Sequence, residues 1–110
     1  MAARSAAVAP VFGGTTVWLG VPCAYWPVPA TGAPAPIAAK GAPPIVLVGT
    51  SNDPATPLKW AQALASQLES GHLVEWRGEG HTAVGQSRCV DDAVDSYLVD
   101  LTVPEAGLVC

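Results

Sequence analysis

An aspartate and a histidine, residue types that together do acid–base chemistry, stand in two short polar loops of the sequence. Asp53 lies in the loop TSNDPA (50–55) and His81 in the turn GEGH (78–81). A carboxylate that accepts the imidazole N–H fixes the tautomer of a histidine base and stabilises the cation formed when the base takes a proton. Asp53 and His81 are therefore candidates for a catalytic acid and base. Spacing alone leaves an alternative, in which Asp53 only hydrogen-bonds its own turn and His81 is an exposed loop residue.

The segments around these loops predict a strand–helix–strand–helix order. The run IVLV (45–48) is apolar without alternation, which is typical of a strand buried on both faces of a parallel sheet. Thr56 before Pro57 predicts an N-cap and the first turn of a helix over 57–69, which Gly71 ends. Residues 72–76 alternate as a second strand. A final helix has an apolar face, formed by Val90, Ala93, Val94, Tyr97 and Leu98.

This order predicts where the two candidate residues lie. A strand–helix–strand unit builds a parallel sheet, and parallel strands end at the same edge. Asp53 follows the first strand and His81 follows the second, so we expect both side chains at one rim and within hydrogen-bonding reach. His72 stands at the start of the second strand and is predicted to be structural or solvated.

The nucleophile that such a pair would serve is missing from the sequence. Hydrolases of this architecture carry a serine in the elbow G-x-S-x-G, before the acid and the base in chain order. Ser51, in GTSND (49–53), follows a strand, but Asp53 occupies the place of the second glycine. Neither the other serines nor Cys23 stand in an elbow. The chain alone is therefore predicted to be inactive.

Composition and charge exclude several classes of function. The 110 residues are 50% hydrophobic and 13% charged, with a net charge of −4 and five scattered basic residues. No basic stripe is available for phosphates, so a nucleic-acid partner is not expected. No apolar run approaches the roughly 20 residues that a membrane span needs.

The cysteines allow two interpretations. Cys89 and Cys110 flank a compact C-terminal segment, so one interpretation is a disulfide between them in an oxidising compartment, with Cys23 left single. The other is three buried free thiols in a cytosolic protein. None of the three has the close pairing of a zinc site, and neither a metal nor a cofactor is predicted.

The first part of the chain lacks a periodic pattern. Residues 1–43 are interpreted as an irregular connector and anchoring segment, and its Pro/Ala/Gly-rich stretch from Val28 to Pro44 favours neither a helix nor a central strand. Residues 44–110 form the second predicted part.

Longer motifs, in order along the chain, resemble a known family. They are CAYWP (23–27), PIVLVGTSNDPATP (44–57), GEGHT (78–82) and CVDD (89–92), followed by the final Cys110. Together they resemble the C-terminal region of the tripeptidyl aminopeptidase-like α/β-hydrolases, which are exported bacterial serine peptidases. The similarity runs from about residue 12 to the last residue.

The resemblance implies that residues 44–110 are the C-terminal β-α-β-α portion of an α/β-hydrolase fold. It implies that Asp53 and His81 are the acid and base of a Ser–Asp–His triad. The serine would belong to an N-terminal hydrolase core outside this chain, and the complete enzyme would act on peptides in the cell envelope or outside the cell. Two alternatives remain: the same fold acting on esters or other amides, and a non-catalytic, truncated α/β module.

Overall fold

The computed structural model describes residues 2–110, which form two compact units. The first ends at Pro34 and the second spans Ala35–Cys110. The division lies before the predicted boundary at residue 44, because the end of the connector is bound to the second unit. There the Glu69 N–H donates to the Ala38 carbonyl at 2.8 Å, and the Ser70 hydroxyl donates to the Pro43 carbonyl at 2.9 Å.

The first unit consists of short helices. They are α1 (Ala2–Val8), α2 (Gly13–Thr16), a 3-10 turn (Val17–Gly20) and α3 (Val21–Ala24). The expected irregular, proline-rich segment is present over residues 26–44, whereas residues 2–24, expected to be irregular as well, are helical in large part. Helices of four to seven residues are too short to produce a periodic apolar face, and alanine, the strongest helix former, favours α1 without one.

The second unit has the predicted alternation of strands and helices. It contains β1 (Ile45–Asn52), α4 (Leu58–Gln67), β2 (Gly71–Glu79) and α5 (Arg88–Asp100). The two strands pair in parallel, from Ile45 opposite Gly71 to Thr50 opposite Trp76. The prediction of a parallel sheet is confirmed.

The strand β1 runs to Asn52, beyond the apolar run 45–48 that predicts it, and includes Gly49. Glycine is needed here for close packing, because a Cβ at Gly49 would lie 2.7 Å from Leu58 Cδ1 and 3.0 Å from the Ala61 Cβ of α4. Beyond it the register of the two strands shifts between Thr50 and Asn52. An irregularity of this kind bends a strand and re-aims the residues that follow. It lies directly before Asp53.

The core of the second unit lies beside β2 and α5. Three apolar side chains are buried, Val74, Ala83 and Val90. Partly buried residues pack around them: Val46, Val48, Trp76, Val94, Leu108 and Cys110. The core therefore joins the sheet to the last helix and to the end of the chain.

The end of the chain lies along the outer edge of β2. The Glu75 N–H donates to the Leu108 carbonyl at 2.9 Å, and the Cys110 N–H donates to the Glu75 carbonyl at 2.7 Å. A disulfide joins Cys89, in the first turn of α5, to Cys110, and Cys23 is free and exposed. The two backbone hydrogen bonds of Glu75 thus satisfy backbone groups on the edge of β2 that would otherwise be unpaired.

The side of the unit formed by α4 is far less covered. Trp60 and Leu64, four residues apart and thus on one helix face, are 57% and 40% exposed. Among the described helices, none combines the length and the apolar character that crossing a bilayer would require.

Candidate active site

Asp53 is held at the carboxyl end of β1 by its own loop. Its side chain is 4% exposed. Oδ1 accepts hydrogen bonds from the backbone N–H groups of Ala55 and Thr56, both at 2.8 Å, and Oδ2 accepts one from the Thr56 hydroxyl at 2.8 Å. The carboxylate therefore has two oxygens fixed by three donors within its own turn.

These donors also decide the charge of Asp53. Burial by itself raises the pKa of a carboxyl group, because it disfavours the charged form. The hydrogen bonds from the Thr56 backbone, His81, the Thr56 hydroxyl and the Ala55 backbone outweigh burial, so the pKa of Asp53 lies well below its usual range. Asp53 is ionised at neutral pH.

His81 follows β2 through a tight turn. Gly80, directly before His81, has a φ of +96°, in the left-handed region that glycine adopts without strain. Thr82, directly after His81, has a φ of +74°. The loop is tied to the end of β1, since the Gly80 N–H donates to the Asn52 carbonyl at 3.4 Å and the Asn52 amide donates to Glu79 Oε1 at 2.9 Å. The two loops that carry Asp53 and His81 are thus bonded to each other through residues next to both.

The two candidate residues are in direct contact. His81 Nδ1 lies 2.9 Å from Asp53 Oδ2 and 3.2 Å from Oδ1. This distance falls within the range expected of a carboxylate that orients a histidine base. Because an ionised carboxylate only accepts hydrogen bonds, Nδ1 carries the proton in the neutral ring, and Nε2 is left as the proton acceptor. The His81 side chain is 54% exposed.

Three other polar residues of the two strands have partners away from this pair or lie far from it. Glu79 is bound by Asn52, and the Ser51 hydroxyl donates to the Trp76 carbonyl at 3.0 Å within the sheet. His72 pairs with Val46 near the opposite end of β2. Among the described residues, Asp53 is thus the carboxylate that contacts His81.

Thr56 has a different place from the one predicted. The helix α4 begins at Leu58, Pro57 occupies the N-cap position, and no side chain caps the helix by a hydrogen bond. The Thr56 hydroxyl instead donates to Asp53 and lies 3.3 Å from His81 Nδ1. The sequence signal, Asp three residues before Thr-Pro, is compatible with either role, because both use the same short polar loop.

A cavity of about 490 Å³ opens beside the pair. One part of its wall is polar and includes Asp53, Thr56 and His81. The other part is apolar and is formed by β1, α4 and the loop after His81: Leu47, Val48, Trp60, Ala61, Leu64, Ala83 and Val84. The pair therefore stands at the edge of an apolar recess.

The parallel β-α-β-α unit, with an aspartate and a histidine after the ends of its two strands, has the layout of part of an α/β-hydrolase fold. The model of the TAP-like protein family matches residues 9–110. The chain belongs to this family, and the resemblance drawn from its motifs is confirmed.

Three curated relatives show what else the chain is similar to. It is 45% identical over 89 residues to serine protease Hip1 and 47% identical over 89 residues to carboxylesterase B, both from Mycobacterium tuberculosis H37Rv. It is 34% identical over 84 residues to the tripeptidyl aminopeptidase of Streptomyces lividans. These matches cover 80%, 80% and 74% of this chain but only 17%, 17% and 16% of the relatives. The chain thus matches about a sixth of the length of each relative.

Proposed function

We propose that this chain supplies the acid and the base of a Ser–Asp–His triad in a serine hydrolase whose nucleophilic serine lies outside the chain. The observation that carries the proposal is the 2.9 Å contact between Asp53 Oδ2 and His81 Nδ1. Spacing alone left open that both residues were ordinary loop residues, and that alternative gave no reason for such a contact. The name of one relative, a serine protease, agrees with the reaction class.

The proposed reaction follows from the geometry of this pair. His81 Nε2 takes the proton of the serine hydroxyl as the serine oxygen bonds to the substrate carbonyl carbon. Asp53 stabilises the imidazolium that results, and Nε2 then gives the proton to the leaving group. Water, deprotonated by the same nitrogen, cleaves the acyl-enzyme and regenerates the serine. The buried, ionised Asp53 and the half-exposed His81 suit these roles.

As substrate we propose peptides, cleaved from their N-termini, because one relative is named a tripeptidyl aminopeptidase. Ester hydrolysis is the second candidate. It is favoured by the higher identity, 47%, to a relative named carboxylesterase B. We further propose that the complete protein is exported, since the disulfide between Cys89 and Cys110 is of a kind that persists in oxidising compartments.

The test is a hybrid enzyme in which this chain replaces the matching C-terminal part of M. tuberculosis carboxylesterase B. We expect the hybrid to be labelled by a serine-directed phosphonate and to turn over substrate, and the 110-residue chain alone to do neither. Relative rates on a tripeptidyl anilide and on a nitrophenyl ester would distinguish the two candidate substrates.

The two histidines of the chain provide a matched pair of variants in the hybrid. His81→Gln removes the proposed base and should abolish turnover, whereas His72→Gln should leave it near the parent rate. Equal turnover by the two variants would refute the assignment of His81. A folded hybrid without turnover would favour the non-catalytic module.

A further inference from the structure

Thr56 is the residue that contacts both members of the pair. Its backbone N–H donates to Asp53 Oδ1 at 2.8 Å, and its hydroxyl donates to Asp53 Oδ2 at 2.8 Å. The same hydroxyl oxygen lies 3.3 Å from His81 Nδ1. Thr56 therefore holds both carboxylate oxygens, including the one that faces the imidazole.

The single hydroxyl proton of Thr56 has two possible acceptors, and the carboxylate is the better one. An ionised oxygen at 2.8 Å forms a stronger hydrogen bond than a neutral ring nitrogen at 3.3 Å. When the proton goes to Asp53, a lone pair of the hydroxyl oxygen is left for the Nδ1–H group. Nδ1 then faces only acceptors, which keeps its proton in place and Nε2 free.

The contact is specific to the pair, because the chain does not use this hydroxyl for the helix. A threonine at the N-cap position accepts a hydrogen bond from a backbone N–H in the first turn of the helix. Here Pro57 occupies the N-cap position of α4, and no side chain caps the helix. The hydroxyl is thus diverted from the common structural role of threonine before a proline and directed at the carboxylate.

We propose that Thr56 is a positioning residue, whose hydroxyl fixes the rotation of the Asp53 carboxylate so that Oδ2 stays against His81 Nδ1. The inference rests on the proposed function, in which the pair is catalytic. In this role Thr56 acts through Asp53, whose Oδ2 its hydroxyl holds, and not on the substrate. Its loss should therefore lower turnover and leave substrate binding unchanged.

The first test uses three variants of the hybrid enzyme. Thr56→Val removes the hydroxyl at constant shape, Thr56→Ser keeps it, and Thr102→Val makes the same change at an exposed position of the chain. For Thr56→Val we expect kcat to fall about tenfold, or about 1.4 kcal/mol, with KM unchanged within about twofold. Thr56→Ser and Thr102→Val should keep the parent kcat. A parent-like kcat for Thr56→Val would overturn the proposal.

The second test needs no turnover and uses the 110-residue chain. A hydrogen bond to the charged form lowers a pKa, so Thr56→Val should raise the pKa of Asp53 toward the usual range of an aspartate, and Thr56→Ser should not. Carboxyl ¹³C NMR titration measures this. An Asp53 pKa in the usual range of an aspartate in the parent chain, or an equal Asp53 pKa in the parent and in Thr56→Val, would contradict the role of Thr56. If the hybrid is inactive, the proposed function fails, whereas this titration still decides the inference.

Discussion

The outer edges of the two strands in the C-terminal unit are finished in different ways. The edge of β2, which we call the closed edge, is bonded to residues 108–110 and held by the disulfide to α5. The edge of β1, which we call the open edge, has no partner strand among residues 2–110, and beside it Trp60 and Leu64 of α4 are substantially exposed. The buried core includes Val74 of β2 and Val90 of α5, whereas the Asp53–His81 pair lies at the carboxyl ends of both strands, beside a cavity that β1 and α4 line in part.

This difference indicates a division of labour. The closed edge contains contacts that hold the unit together, whereas β1 and α4 line the cavity beside the Asp53–His81 pair, and the Trp60 and Leu64 side chains of α4 lack apolar cover. In the proposed complete enzyme, the N-terminal hydrolase core covers the open edge and brings the serine to His81.

The largest expected effect is the loss of the acid at the carboxyl end of β1. In the hybrid enzyme, Asp53→Asn should lower kcat by about 10⁴ with little change in fold, because the amide favours the wrong tautomer of His81. Asp92→Asn, the same change on an exposed residue of α5, is the control and should leave kcat unchanged. The measurement is the kcat of each variant relative to the parent kcat, with the preferred substrate. A loss below tenfold for Asp53→Asn would assign the orienting role to another carboxylate.

The next effect is the loss of the disulfide at the closed edge. Cys110→Ser opens a link between residues 21 apart in sequence, and loop entropy predicts a loss of about 3 kcal/mol in the free energy of unfolding. Urea unfolding of the hybrid under oxidising conditions would measure it. Cys23→Ser, the change at the free cysteine, should leave the urea midpoint in place, and an equal shift for both variants would contradict the special role of the link.

A smaller effect is expected from pH, through Asp53. Its pKa in the folded protein lies below the unfolded value of about 4, so the unfolded chain binds the proton first. The stabilisation is complete above this value and is lost as the pH falls below it. Urea midpoints of the hybrid between about pH 6 and pH 3 should therefore fall more steeply for the parent than for Asp53→Asn. Parallel curves would show that the hydrogen bonds of Asp53 contribute nothing to stability.

The smallest effect is expected from Trp60 in the isolated chain. Because the side chain is 57% exposed, Trp60→Ala should change the free energy of unfolding by at most about 0.5 kcal/mol there. In the hybrid enzyme the same change should cost more, since the core would bury the ring. Hydrogen exchange of the β1 amides measures the change in the free energy of unfolding in the isolated chain and in the hybrid. An equal cost in the two contexts would show that the open edge stays uncovered.

The elements that position the site were predictable from local patterns. The apolar run 45–48, the Pro57 and Gly71 signals around α4 and the apolar face of α5 identify a strand and two helices, and parallel pairing then brings Asp53 and His81 to one rim. The end of β1 was not predictable, because Gly49 signals a stop in sequence although it serves close packing against α4.

The role of Thr56 was not predictable either, because a threonine before a proline is a typical N-cap. Only the geometry of the folded loop shows that its hydroxyl reaches Asp53 instead. The short helices of residues 2–24 escaped prediction because they are too brief to show a period. The catalytic roles themselves stay a prediction, and in the proposed enzyme the serine that would test them lies outside the chain.

The close approach of α4 to Gly49 limits how this protein can be engineered. Trp60 and Leu64 line the cavity, so a library made to alter substrate preference would begin with their codons. Both residues reach the cavity from a helix whose distance from β1 depends on a missing Cβ, which would otherwise stand 2.7 Å from Leu58. Any side chain at position 49 would push that wall outward and shift every randomised residue on it. Diversity at Trp60 and Leu64 is therefore interpretable only while position 49 stays glycine.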